Sequence, residues 1–142
     1  MTLKNYILES IYQKLNESSF QKIMIESYEE LPKRDGMPKE HKVSLDHIHG
    51  WEPDENKSRD TIEHFKRMYK KYKETGDHSH LPNPITLEPN TGKLKTRSGK
   101  ILDTGKKKHL VWDGHHRLIA AKEAGLDHIN ARITTDKSIG QQ

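Results

Sequence analysis

The chain contains no cysteine among its 142 residues. This excludes a disulfide framework, a zinc–thiolate site and a cysteine nucleophile. It fits an intracellular protein without requiring one. Apolar residues are also scarce, at 30% against 32% charged. There is no apolar run of membrane length and no signal-peptide pattern. The expectation is a cytoplasmic protein with no membrane partner. Its length suits one domain with one modest core. Aromatic residues make up 6%, so any nucleic-acid surface would rely on charge more than on base stacking.

What the chain does have is positive charge, unevenly placed. Residues 1–40 hold six basic and seven acidic side chains, residues 41–90 eight and nine, and residues 91–142 eleven and five. A local excess of this kind favours a polyanionic or nucleotide partner, or simply solubilises the surface.

The same basic third contains the densest run of chemically capable side chains, Val111-Trp112-Asp113-Gly114-His115-His116-Arg117-Leu118. Leu110, Val111 and Trp112 are strand formers. Gly114 supplies a turn, with Asp113 placed to cap the helix after it. Leu118, Ala121 and Ala124 have helical spacing and Gly125 is a stop. His115, His116 and Arg117 thus fall on the first turn of a helix, where unpaired N–H groups and the dipole suit an anion such as phosphate. The competing reading is a solvated polar turn.

The rest of the chain frames this turn. Apolar spacing predicts two amphipathic helices, one over 3–16 and one from Phe20 to Leu31, as a packing appendage, an oligomerisation arm or a detachable segment. The first resembles the short N-terminal targeting peptides of tailed-phage head proteins, with Leu15-Asn16-Glu17 similar to their cleavage motif, which implies a phage origin and virion association. Pro32, Asp35, Gly36 and Pro38 mark a linker over 32–42. Alternation over Lys42–Ile48 predicts a short strand or strand-turn, and 49–57 a polar loop whose Trp51 packs at the core edge or covers a ligand. A helix is predicted over 60–74, with Ile62, Phe65, Met68 or Tyr69, and Tyr72 inward. Ile85 and Leu87 form a strand. Lys93, Lys95, Arg97, Lys100, Lys106, Lys107 and Lys108, with Gly92, Gly99 and Gly105 between them, predict one or two basic hairpins able to grip nucleic-acid phosphate. Residues around 129–133 form a closing strand, and 135–142 a flexible tail. The expected organisation is an N-terminal helical extension and linker (1–41), an α+β domain built on a small mixed sheet (42–134), and the tail.

Taken together, residues 43–133 resemble the ParB/sulfiredoxin-like superfamily, also described as ParB-like nuclease domains. The resemblance rests on Val43-Ser44-Leu45-Asp46-His47-Ile48, the helix at 60–74, Leu81-Pro82-Asn83-Pro84-Ile85-Thr86-Leu87 and, above all, Asp113-Gly114-His115-His116-Arg117. It implies that Gly114, His115, His116 and Arg117 surround the phosphates of a nucleotide or of DNA. Asp113 then orients the turn or takes part in proton or metal chemistry. It also implies an acidic base in the loop after the first strand, with Glu52 best placed and Asp54 and Glu55 as competitors. The missing cysteine excludes sulfiredoxin chemistry. The absence of paired arginines at the turn speaks against a DNA clamp.

Three functional readings are open. In the first, a nuclease or nucleotide-dependent phosphotransferase uses Glu52, Asp113, His115 and His116 as catalytic groups, with a nucleotide and Mg2+ as the implied cofactors. In the second, a non-catalytic module binds nucleotide or DNA. In the third, His47-x-His49 or His78-x-His80 holds a metal, against which each pair reads as ordinary exposed histidine.

Overall fold

The computed structural model describes residues 25–51, 57–96 and 98–135. The first predicted N-terminal helix, the second up to residue 24, the Leu15-Asn16-Glu17 motif, Glu52, Asp54, Glu55, Arg97 and the tail from 136 lie outside the described residues. The second helix, expected to run to Leu31, is helical over 25–27 and then gives way to a strand at Glu29–Glu30, which pairs with the chain at His41 and Lys42.

The described strands are β1 (Glu29–Glu30), β2 (His41–Ser44), β3 (Ile48–His49), β4 (Ile85–Pro89), β5 (Lys93–Lys95), β6 (Ile101–Asp103), β7 (His109–Asp113) and β8 (His128–Ile133). Six of them form one sheet in the order β1-β2-β8-β4-β7-β3, and β5 pairs with β6 alone. Two helices, α1 (Arg59–Thr75) and α2 (His115–Glu123), pack on each other, and α2 also touches β4 and β8. Parallel pairs (β3 with β7, β4 with β8) and antiparallel pairs (β1 with β2, β2 with β8, β4 with β7) coexist. The fold is the α+β class, with the mixed sheet, that the sequence predicts. Among the described residues no helix is long and apolar enough to cross a membrane.

The stretch expected over 42–48 as a short strand or strand-turn is a strand and a turn that leads into a second short strand. Ser44 ends β2, a 3₁₀ turn spans Leu45–His47, and β3 starts at Ile48. Four residue steps reach at most about 14 Å. Four strand spacings in a flat sheet would separate β2 from β3 by about 19 Å. The sheet must therefore curl until its far strand comes round toward β2. Alternation could not reveal this, because Val43, Leu45 and Ile48 are buried on both sides of the turn.

The segment read as a linker is docked. Arg34 makes a forked pair with Glu40, Nε to Oε2 at 2.9 Å and an NH2 nitrogen to Oε1 at 2.6 Å. It also donates to the carbonyls of Leu81 at 2.8 Å and Pro82 at 3.0 Å. Asn130 Nδ2 completes the cluster by donating to Glu40 Oε1 at 2.8 Å and to the Pro82 carbonyl at 3.0 Å. Proline and glycine density signalled an irregular path, but a charged pair with its hydrogen bonds met inside the fold holds that path down.

Both helices are well terminated. Ser58 caps α1 by accepting from the Thr61 N–H at 3.4 Å, and Gly76, at φ 69°, ends it. At the end of α2, Leu126 N–H donates to the Ala121 carbonyl and Gly125 N–H to that of Lys122, a Schellman pair. Ala120 and Ala121 are fully buried, and their small side chains let α2 sit tightly in the core with Ile62, Tyr69, Ile85 and Val111. Arg59 bridges the helices by donating to Glu123 at 2.8 and 2.9 Å.

Near β3, the Tyr28 hydroxyl lies 2.9 Å from His47 Nδ1 and 3.0 Å from His109 Nε2. His47 is therefore half-buried and already engaged, not an exposed partner for His49. Among the described residues no group of three or more potential ligands is placed to hold a metal.

Candidate functional site

β7 ends at Asp113, directly opposite Thr86 at the start of β4, and α2 begins two residues later. The turn between them depends on Gly114. Its φ is 117°, and a Cβ there would lie 2.5 Å from Ile85 Cγ2. No other residue fits. The expected Asp113 cap does not form. Gly114 is itself the N-cap residue and has no side chain to offer. The Asp113 carboxylate turns the other way and accepts from Arg117 at 3.2 Å. The backbone N–H groups of His116 and Arg117 thus sit in an uncapped first turn, beyond the reach of the helix's own carbonyls.

In front of that turn lies a cavity of about 530 Å³ between α1, the Pro82–Asn83 segment and the end of β7. Its wall includes Lys57, His64, Trp112, Asp113, His116 and Arg117. The size is in the range of small-ligand sites. Among the described wall residues there is a single carboxylate, Asp113, facing a lysine, an arginine and three histidines.

The motif side chains sit in different environments. Arg117 points along the wall, where one terminal nitrogen donates to the Asn83 carbonyl at 2.8 Å and to that of Pro84 at 2.9 Å. Its guanidinium also lies over the Phe65 ring, 5.9 Å from the centroid. Arg117 therefore ties the strand entrance to the helix start, and most of its hydrogen-bonding fork is occupied.

His115 is buried, edge-on to Trp51 with ring centres 5.3 Å apart. Burial, assisted by nearby Lys57, pushes its pKa down to about 4, so it is neutral at neutral pH and brings no charge to an anion. Trp51 packs at the core edge, one of its two expected roles, with its indole N–H donating to the Val111 carbonyl at 2.9 Å. Gly50 makes room for this layer, since a Cβ there would lie 2.9 Å from Leu118 Cδ2.

His116 is half-buried and faces α1. Its Nε2 accepts from the Ser58 backbone N–H at 3.2 Å. The ring proton of the neutral imidazole must then be on Nδ1, which leaves His116 a donor. Lys57 stands on the same wall, and burial lowers its pKa from the usual lysine value.

Lys57 and His64 are the wall residues that sequence reasoning missed. Lys57 follows an acidic loop and His64 lies within a helix, so neither carried a local signal. Glu52, the expected base, lies outside the described residues.

The basic ribbon is one hairpin, in which β5 and β6 form their own two-stranded sheet. Asn90 organises its base. Its amide nitrogen donates to the Thr104 and Lys107 carbonyls at 2.9 and 2.8 Å, and its oxygen accepts from Thr104 Oγ1 at 2.6 Å and from the Gly92 N–H at 2.9 Å. The hairpin leaves the sheet where Pro89 faces His109, the end of the β4–β7 pair away from Asp113. Four strand residues place about 13 Å between the two ends. Charge that is adjacent to the motif in sequence is thus remote from the cavity along the strand pair.

No protein-family model matches the chain, and no curated protein matches it. Among solved structures it is similar to the C-terminally truncated chromosome-partitioning protein ParB from Caulobacter crescentus in complex with CTP-gamma-S. Identity is 15% and the TM-score 0.44, over 72% of this chain and 47% of that one. It is also similar to sulfiredoxin from Arabidopsis thaliana, at 17% identity and a TM-score of 0.43, over 70% of this chain and 88% of that one. The chain thus spans 47% of the ParB chain's length.

Proposed function

We propose that the cavity at the start of α2 binds the phosphate of a nucleotide or of a nucleic-acid strand, and that the protein carries out phosphoryl transfer or nuclease-type hydrolysis there. The observation that carries this reading is the wall itself: Lys57, His64, His116 and Arg117 around an uncapped helix start, against one carboxylate among the described residues. Such a wall favours an anion over a neutral or cationic ligand.

The side chains divide the work. Lys57 neutralises the phosphate, and His116 donates from Nδ1. Arg117 holds the turn while presenting part of its charge. His115 supports the turn from behind. Asp113, with its side chain 77% exposed, is the acid–base candidate, with Glu52 as the second carboxylate. Asp113 could also ligate a Mg2+ carried in on nucleotide phosphates, since such ions commonly take only one or two protein carboxylates. The basic hairpin, through Lys93, Lys95, Arg97, Lys100, Lys106, Lys107 and Lys108, is a separate contact for the DNA backbone.

The engagement of both His115 and Arg117 in the protein's own structure favours a second reading, binding without turnover. A thermal-shift panel of nucleotides, DNA and divalent metals, followed by turnover assays on His116→Ala and Asp113→Asn, separates the two. Binding with turnover abolished in folded variants supports catalysis. Binding with no turnover in the parent chain supports the module. If no phosphate ligand shifts the melting temperature, both fail.

A further inference from the structure

β7 carries a bulge at Trp112. Thr86 faces Asp113 and Leu87 faces Val111, so one step along β4 answers two along β7, and Trp112 is the residue left over. Bulges re-aim side chains and are common beside active sites. Here the result is visible in the burial pattern. Leu110 and Val111 are both fully buried, and Trp112 and Asp113 are both exposed, where a regular strand would alternate.

Trp112 is left 57% exposed on the wall of the anion cavity. The contrast with Trp51 is sharp. Trp51 spends its N–H on Val111 and its ring on His115. The indole of Trp112 has no hydrogen-bond or ring partner among the described residues. Phe65, the other large apolar ring among the described wall residues, is covered by the Arg117 guanidinium. Trp112 is therefore the large aromatic face the cavity leaves available, next to its phosphate-binding groups.

We propose that Trp112 is the stacking platform for an unpaired nucleobase whose phosphate lies at His116 and Lys57. The inference rests on the phosphate reading above and names the ligand class for it: a phosphate joined to a flat aromatic base. Every base has a π face, so such a platform accepts nucleobases without reading their sequence. A base inside a duplex has both faces occupied by its neighbours, so the base must be unpaired. A free nucleotide and a single strand share this chemistry.

Titration calorimetry on the full chain, with inorganic pyrophosphate, ribose 5-phosphate, a nucleoside, its 5′-monophosphate, a short single strand and its blunt duplex, tests this. The base-bearing phosphates should bind more tightly than ribose 5-phosphate by roughly 5- to 100-fold. Trp112→Ala should remove that margin and leave ribose 5-phosphate unchanged, and Trp112→Phe should keep most of it. Whether nucleotide or strand binds more tightly identifies the source, and either ranking supports the platform if the margin follows Trp112. Equal affinities with and without a base overturn the platform while the phosphate site stands. A nucleoside that binds through Trp112, with no gain from its phosphate, keeps the platform and removes the phosphate reading. Duplex binding as tight as single-strand binding and insensitive to Trp112→Ala overturns the platform, as does failure of every probe.

Discussion

Ser58 donates its backbone N–H to His116 Nε2 at 3.2 Å while its own hydroxyl accepts from the Thr61 N–H at 3.4 Å. The residue that starts α1 is thus also the lock on a histidine in the first turn of α2, and it ties the two walls of the cavity together. The contact separates two roles that a motif alone merges, and a pair of variants resolves them. Ser58→Ala should cost about 1 kcal/mol in chemical denaturation and leave phosphate affinity near the parent value. His116→Ala should cost about 1 kcal/mol or less of stability, yet weaken phosphate binding several-fold in calorimetry. Equal effects of both variants on binding would mean that His116 acts only through α1.

Gly114→Ala should destabilise the fold by about 2 kcal/mol or more, because it combines left-handed backbone at φ 117° with a Cβ 2.5 Å from Ile85 Cγ2. Adding Ile85→Val removes only Cδ1 and leaves both contacting atoms, Cγ2 and Cβ, in place. The double variant should therefore recover none of the loss in a urea melt.

Arg117→Lys should behave as a stability variant first. A lysine cannot reproduce a fork that reaches the Asn83 and Pro84 carbonyls and Asp113 together. A loss of about 1–3 kcal/mol is expected, with the weakened ligand binding restored in part at low temperature, where the turn is held.

Acid should weaken the protein in a defined window. Burial holds both His109 and His115 down to about 4, from 6.5 in an unfolded chain. Between these values the unfolded state binds more protons. The stabilising contribution is complete above pH 6.5 and drains away toward pH 4, at about 1.4 kcal/mol per pH unit for each histidine. His115→Gln should lower the slope of urea midpoint against pH by about one proton's worth across that window. An unchanged slope would contradict its burial in the neutral form.

If the hairpin grips nucleic acid, neutralising Lys106, Lys107 and Lys108 should flatten the dependence of log affinity on log salt by about 0.9 for every phosphate no longer neutralised. Affinity for a mononucleotide should stay the same, because Asn90 anchors the hairpin at the far end of the β4–β7 pair. A parallel fall in both would place the lysines at the cavity.

The elements with strong local signatures were legible in the sequence. The spacing of Ile62, Phe65, Tyr69 and Tyr72 announced α1, and Gly76 and Gly125 marked both helix ends. The turn at Gly114 was legible for the same reason, since only glycine relieves so tight a strand-to-helix passage. The features that escaped were long-range. Asp113 looks like a cap in sequence, but Arg117 one helical turn later captures it. Arg34 and Glu40 read as loop charges because their partners, Leu81, Pro82 and Asn130, are distant along the chain. Lys57 and His64 reach the cavity only because α1 packs on α2. The hairpin looked adjacent to the motif because sequence distance does not record that β7 runs between them.

The curl of the sheet has one more consequence, for how this chain keeps its own company. At its two margins the sheet presents β1 and β3, each two residues long. Exposed margins are where one polypeptide recruits another, strand against strand, toward aggregates. Margins this short leave few unpaired backbone groups for a foreign strand to join. The longer β5 margin carries Lys93 and Lys95, both solvent-facing, whose like charges repel a second copy. Colloidal restraint is thus built into a chain with few apolar residues, through strand length and lysine placement rather than through a larger core.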